Sequence, residues 1–221
     1  MNLNAHLSIV TNDQINKYQE KPELLDPHLQ DICNLIMGYI KDHLAERDES
    51  KINDPNHIVH CAFRVVYTLS VVRGYKTIVR YLPHEVHDLE PTLHFLLAID
   101  QEDLSLWYAR YVLCIWLSII VRVPFDLNSI DSFGDMIEKI ISTVKLYLER
   151  AEKSREGAAV LISRLFSRPD FEQTHMVQFF DWCFDKLEKL KEEQNIFLVE
   201  SIISYPYFCW FVLGTMIDVE L

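Results

Sequence analysis

Glycine occurs only 5 times and proline only 8 times in 221 residues. That is too few turn formers for a sheet of many short strands, and a poor basis for a glycine-rich loop around phosphate. No G-x-x-x-x-G-K-[ST], G-x-G-x-x-G or G-x-S-x-G string is present, so the usual nucleotide-binding loops and the serine nucleophile elbow are excluded. C-x-x-C is missing too; Cys33, Cys61, Cys114, Cys183 and Cys209 are scattered and odd in number, which suits reduced, buried thiols in a cytosolic protein. Basic charge is in deficit, with 21 Lys and Arg against 33 Asp and Glu and a net charge of -12. A general nucleic-acid binder needs the opposite balance, because phosphate neutralisation carries its affinity. The longest apolar run before the C-terminal stretch, Tyr111 to Val121, is too short to span a bilayer. The first residues lack the basic start and apolar core of a secretory signal.

What is abundant is hydrophobic surface, 49% of the residues, patterned with helical periodicity. Asp26-Pro27, Asp54-Pro55 and Glu90-Pro91 place an acidic cap before a proline that tolerates the first helical turn. The first helix is expected from Pro27 to Ala45, with Leu29, Ile32, Cys33, Ile36, Met37 and Ile40 on one face, followed by a loop from Glu46 to Asn53. The second is expected from Pro55 to Val72, with Ile58, Val59, Ala62, Phe63, Val66 and Leu69 inward and Gly74 ending it. Further helices are expected over 75–81, 91–99, 104–122, 133–148, 154–167 and 174–190. Ser132 with Asp135 and then Ser154 serve as caps, while Met176, Val177, Phe180 and Phe184 face inward on the last helix. The fold class is all-α. Helices paired at intervals of roughly 40 to 50 residues have the size of HEAT or armadillo units, which stack into a solenoid (an α-α superhelix) and present an extended surface to partners.

Chemistry-bearing side chains cluster in one place, His84-Glu85-Val86-His87-Asp88-Leu89-Glu90. A zinc protease helix needs histidines four apart, and His84 and His87 are three apart. Lying between Pro83 and Pro91, the cluster reads as a turn and a helix start, with no metal site. His57 and His60 are read as one surface and one boundary histidine. Trp107, Tyr108, Tyr111 and Trp116 read as core, each buried indole or phenol needing a polar neighbour. No catalytic residue and no cofactor is expected. Two stretches run against the net charge: Arg64, Arg73, Lys76 and Arg80 lie without any acid between Pro55 and His84, and Lys145, Arg150, Lys153, Arg155, Arg164 and Arg168 face only Glu149, Glu152 and Glu156. Such stretches are either solvated helix faces or docking sites for an acidic protein.

Particular strings carry a resemblance. KYQEKPELLDPHL from Lys17 to Leu29, VRGYK from Val72 to Lys76, and PHEV from Pro83 to Val86 with Asp88, Glu90 and Pro91 are similar to the start of the tubulin-folding cofactor D family. The likeness continues through Arg110-Tyr111, WLS at Trp116, PFD at Pro124, AAVLISR from Ala158 to Arg164, and RPD at Arg168, covering about Lys17 to Leu187. The resemblance implies a HEAT-repeat chaperone that captures β-tubulin released by the cytosolic chaperonin. With cofactors C and E and an Arf-like small GTPase, it assembles the αβ heterodimer within a tubulin GTPase-activating complex. It also implies a cytoplasmic location on the microtubule cytoskeleton and no enzymatic centre. Because tubulin is acidic, Arg73, Lys76, Arg80, Arg164 and Arg168 are the expected contacts. Family members are several-fold longer, so the expectation is the first repeats of such a protein over residues 1–191. A tail over residues 192–221, uncharged from Ile202 to Ile217, lacks the likeness. The alternatives are a generic helical-repeat scaffold and a membrane-attached adaptor using that tail.

Overall fold

The computed structural model describes residues 11–46, 48–125, 127, 135–168 and 173–189. Among them there is no strand. The helices are α1 (Asp26–Glu46), α2 (Glu49–Ile52), α3 (Ile58–Arg73), α4 (Tyr75–Ile78), α5 (Leu89–Ala98), α6 (Trp107–Ile120), α7 (Met136–Leu148), α8 (Ser154–Phe166) and α9 (Gln173–Lys189). Short 3-10 turns at Pro22–Leu25, Val79–Tyr81, Val86–Asp88 and Leu104–Leu106 join or prolong them. The chain divides into two compact units, Met1–Val123 and Pro124–Leu221. No described helix is long and apolar enough to cross a membrane. Cys209, Ser132 and the tail over 192–221 lie outside the described residues.

In the first unit, α1 buries Leu29, Cys33, Met37, Ile40 and Leu44 in one stripe against α3, as its periodicity requires. Helix α3 packs in turn on α6. Every residue of α6 from Tyr108 to Ser118 is buried, which accounts for the apolar run from Tyr111 onward in this helix. The one charge inside it is compensated: Arg110, with 0% exposure, donates to the carbonyls of Asp100 (3.1 Å) and Asp103 (3.0 Å). Those carbonyls belong to the connection entering α6, so a buried cation fixes a loop that lacks helical hydrogen bonds of its own. Trp116 donates its indole N–H to the carbonyl of Pro83 at 2.7 Å. Arg64 is the polar neighbour of Tyr108, its guanidinium 4.6 Å from the ring centre.

Several boundaries differ from the sequence expectation. The stretch Glu46 to Asn53 is not all loop, since Glu49–Ile52 forms a helical turn. Pro55 does not open α3. The carboxylate of Asp54 accepts the N–H of Asn56 (2.9 Å) and its carbonyl accepts that of His57 (2.9 Å), closing a turn. The helix then starts after His57, whose Nδ1 accepts from the N–H of Val59. Gly74 has φ 90 and ψ 130, a positive φ that glycine adopts without steric cost. His60 is no boundary residue: it has 0% exposure and donates from Nε2 to the carbonyl of Ile52 at 2.6 Å.

In the second unit, α7 packs on α8, where Gly157, Ala158 and Ala159 at the start of α8 are all buried. Such small side chains permit close helix approach. Ser154 is the first residue of α8 rather than its cap; buried, it donates to a carboxylate oxygen of Glu152 at 2.8 Å. On α9 the inward residues are Phe179 and Cys183, whereas Val177 and Phe184 are 57% and 48% exposed. The buried stripe is therefore rotated from the expected one. Phe179 sets it by meeting Phe166 of α8 edge to face, ring centres 5.2 Å apart. Cys33, Cys61, Cys114 and Cys183 are buried and unpaired by disulfide. Burial pushes the Cys33 thiol up to about 11 and that of Cys183 to about 12, leaving little thiolate for chemistry.

Candidate functional site

Helix α1 has a polar face adjoining its buried stripe, formed by Gln30, Asn34, Gly38 and Lys41, residues three or four apart. The segment Arg80 to Glu85, which follows α4, lies beside that face. Together they enclose a groove of about 490 Å³. Leu82, 2% exposed, anchors the segment in the core, and the bond from Trp116 holds its Pro83 carbonyl.

A charged latch closes one end. The ammonium of Lys41 lies 2.9 Å from a carboxylate oxygen of Glu85 and 2.9 Å from one of Asp88. Burial would lower the Lys41 pKa, but the hydrogen bonds to Asp88 and Glu85 outweigh it and raise it. The hydrogen bond from Lys41 holds Glu85 below the ordinary carboxylate range. Asp88 is only 5% exposed. Glu85, His87 and Asp88 bring possible ligand atoms within 4.8 Å of one another, but both carboxylates already share the Lys41 cation. The geometry makes this an ion-paired helix junction.

The rest of the groove is less committed. Gln30 donates to Asn34 at 2.9 Å, leaving the Gln30 oxygen and the Asn34 amide group to face outward partners. Arg80 is exposed and makes no hydrogen bond or ion pair among the described residues. Gly38 sits in the middle of a 21-residue helix, where glycine costs about 0.5 to 1 kcal/mol relative to alanine. A Cβ added there would meet nothing within 4 Å, so no neighbour within the chain requires the missing side chain.

The structure separates the basic residues singled out from sequence. Arg73 forms a forked pair with Asp26, 2.6 Å from Nε and 2.8 Å from Nη2, tying the end of α3 to the start of α1. The Arg73 hydrogen bond lowers the Asp26 pKa. Lys76 is exposed on α4 and, like Arg80 one turn later, has no partner among the described residues. Arg164 and Arg168 belong to the second unit; Arg164 is half-buried, and Arg168 is buried and donates to the carbonyl of Phe125. Lys76 and Arg80 are thus the pair placed near each other with free charge. Gly38, Asn34 and Lys41 went unremarked in the sequence, although the lone glycine in a strongly periodic helix was a usable signal.

The sequence profile described as "Tubulin-specific chaperone D-like, ARM repeat" matches residues 15–187. The chain belongs to this family. The match spans α1 to α8 and most of α9, so the stacked helices are armadillo-type repeats. The chain is 26% identical to the Tubulin-specific chaperone D of Dictyostelium discoideum over 268 aligned positions, covering 79% of this chain and 18% of that protein. It is 32% identical to the Tubulin-folding cofactor D of Schizosaccharomyces pombe over 152 residues, covering 69% of this chain and 13% of that protein. It therefore spans less than a fifth of the length of these relatives. No solved structure matches it.

Proposed function

We propose that the chain acts as the leading repeats of a tubulin-folding cofactor and works by binding rather than catalysis. The observation that carries this is the family match over residues 15–187, together with relatives named for tubulin folding. In this reading the partner is β-tubulin released by the chaperonin, and the task is αβ heterodimer assembly. Cofactors C and E and an Arf-like small GTPase act beside it in a complex that stimulates tubulin GTP hydrolysis in the cytoplasm, at the microtubule cytoskeleton. The unpaired cations Lys76 and Arg80 suit an acidic client, since paired cations such as Arg73 would first have to give up a partner.

The test is retention of purified tubulin by the immobilised chain. The wild type retains it, and the double substitution Lys76→Glu with Arg80→Glu reduces retention about tenfold, the effect of two reversed rim charges, with unchanged helicity by circular dichroism. Absence of retention by the wild type overturns the reading for these repeats. Equal retention by the charge-reversed chain overturns the surface assignment.

A further inference from the structure

We propose that the groove between α1 and the Arg80 to Glu85 segment binds an extended, acidic peptide segment of a partner protein, its backbone crossing Gly38 and a carboxylate side chain pairing with Arg80. Three observations converge on this occupant. Gly38 bares the helix backbone at the groove wall, and nothing within 4 Å of its missing Cβ explains the glycine from inside the chain. Close passage of another backbone does, because that is the setting in which a side chain at this position is excluded. Gln30 and Asn34 bring amide groups that both donate and accept, the complement of a peptide unit that does the same. The uncommitted charge is a cation: Lys41 is held by Glu85 and Asp88, while Arg80 is exposed and has no partner among the described residues, its fork suited to a carboxylate.

The proposal goes beyond the tubulin reading and is tested without tubulin. An array of randomised octapeptides is incubated with the whole chain, and the strongest peptides are resynthesised with a fluorescent label for anisotropy titration. The selected peptides are expected to be enriched in Asp and Glu. Arg80→Ala should weaken their binding about fivefold and Gly38→Gln about tenfold, the latter by filling the crossing point. Gly38→Ala and Gly38→Gln both replace glycine by a better helix former, so each should melt a few degrees higher than wild type; lost binding then cannot be ascribed to unfolding. The proposal is overturned if no peptide is retained, if the selected peptides are not acidic, or if Gly38→Gln binds them like the wild type. Displacement by an equal concentration of inorganic phosphate also overturns it, since that outcome describes a bare anion site.

Discussion

The two units solve the burial of helices differently. In Met1–Val123 the central helix α6 is buried almost all round, and its polar side chains serve backbone groups of the connections around it. Arg110 satisfies the Asp100 and Asp103 carbonyls, Trp116 satisfies that of Pro83, and His60 of the neighbouring α3 satisfies that of Ile52. In Pro124–Leu221, α7 and α8 meet through small residues, and the aromatic face of α9 is covered by ammonium groups, Lys145 at 5.4 Å and Lys186 at 5.9 Å from the Trp182 ring. The first arrangement holds irregular backbone in place and so can shape a groove. The second depends on fit between regular surfaces. A buried polar anchor costs more to remove than a cation over a ring does, because a charge-assisted hydrogen bond is the stronger interaction.

The sharpest way to break this contrast is Arg110→Leu. It removes two charge-assisted hydrogen bonds, to the carbonyls of Asp100 and Asp103, and the loss should be about 4 kcal/mol of unfolding free energy, read from urea denaturation. A loss under about 1 kcal/mol would mean that the entry to α6 needs no internal cation.

A smaller effect, confined to the first unit, comes from His60. Burial drives its pKa down to about 4 from 6.5, helped by His57 and Arg64 and opposed by the Ile52 carbonyl and Asp54. Above pH 6.5 the imidazole is neutral in folded and unfolded chains alike. Between pH 6.5 and about 4 the unfolded chain takes up a proton that the folded one refuses, so stability falls as pH falls, by on the order of 3 kcal/mol over the window, and levels off below it. Denaturation midpoints taken through that range should slope less for His60→Gln than for wild type. Parallel slopes would remove His60 as the cause.

Ala158→Leu probes the second unit. Its alanine has 0% exposure, and added methyl groups in a tight helix contact cost about 2 kcal/mol through displaced neighbours. A melting temperature equal to that of wild type would show slack between α7 and α8.

Much of the helix order was legible in the chain. Apolar spacing located the long helices, because a 3.6-residue period has few other readings. The uncharged run in α6 announced near-complete burial. Boundaries failed where a local side chain outcompeted the generic signal: Asp54 spends its carboxylate on a turn, so capping passes to His57. The inward face of α9 also failed, because Val177 and Phe184 are as apolar as Phe179 and only a neighbour such as Phe166 selects between faces. Among the candidate contacts, Arg73 and Arg80 look alike in sequence. Asp26, distant along the chain, engages one, and the other is left to solvent.

By itself the sequence determined an all-helical chain of armadillo-type repeats, the family it belongs to, and the shortage of glycine loops. These follow from local spacing and from strings of adjacent residues. Only the tertiary structure decided which cations remain unpaired and that Gly38 and Arg80 border one groove. It also decided that Lys41, far along the chain from Glu85 and Asp88, supplies the charge they share. The physical reason is that pairing and solvent exposure are properties of positions brought together by packing. Residues far apart along the chain carry no local mark of the neighbour they will meet.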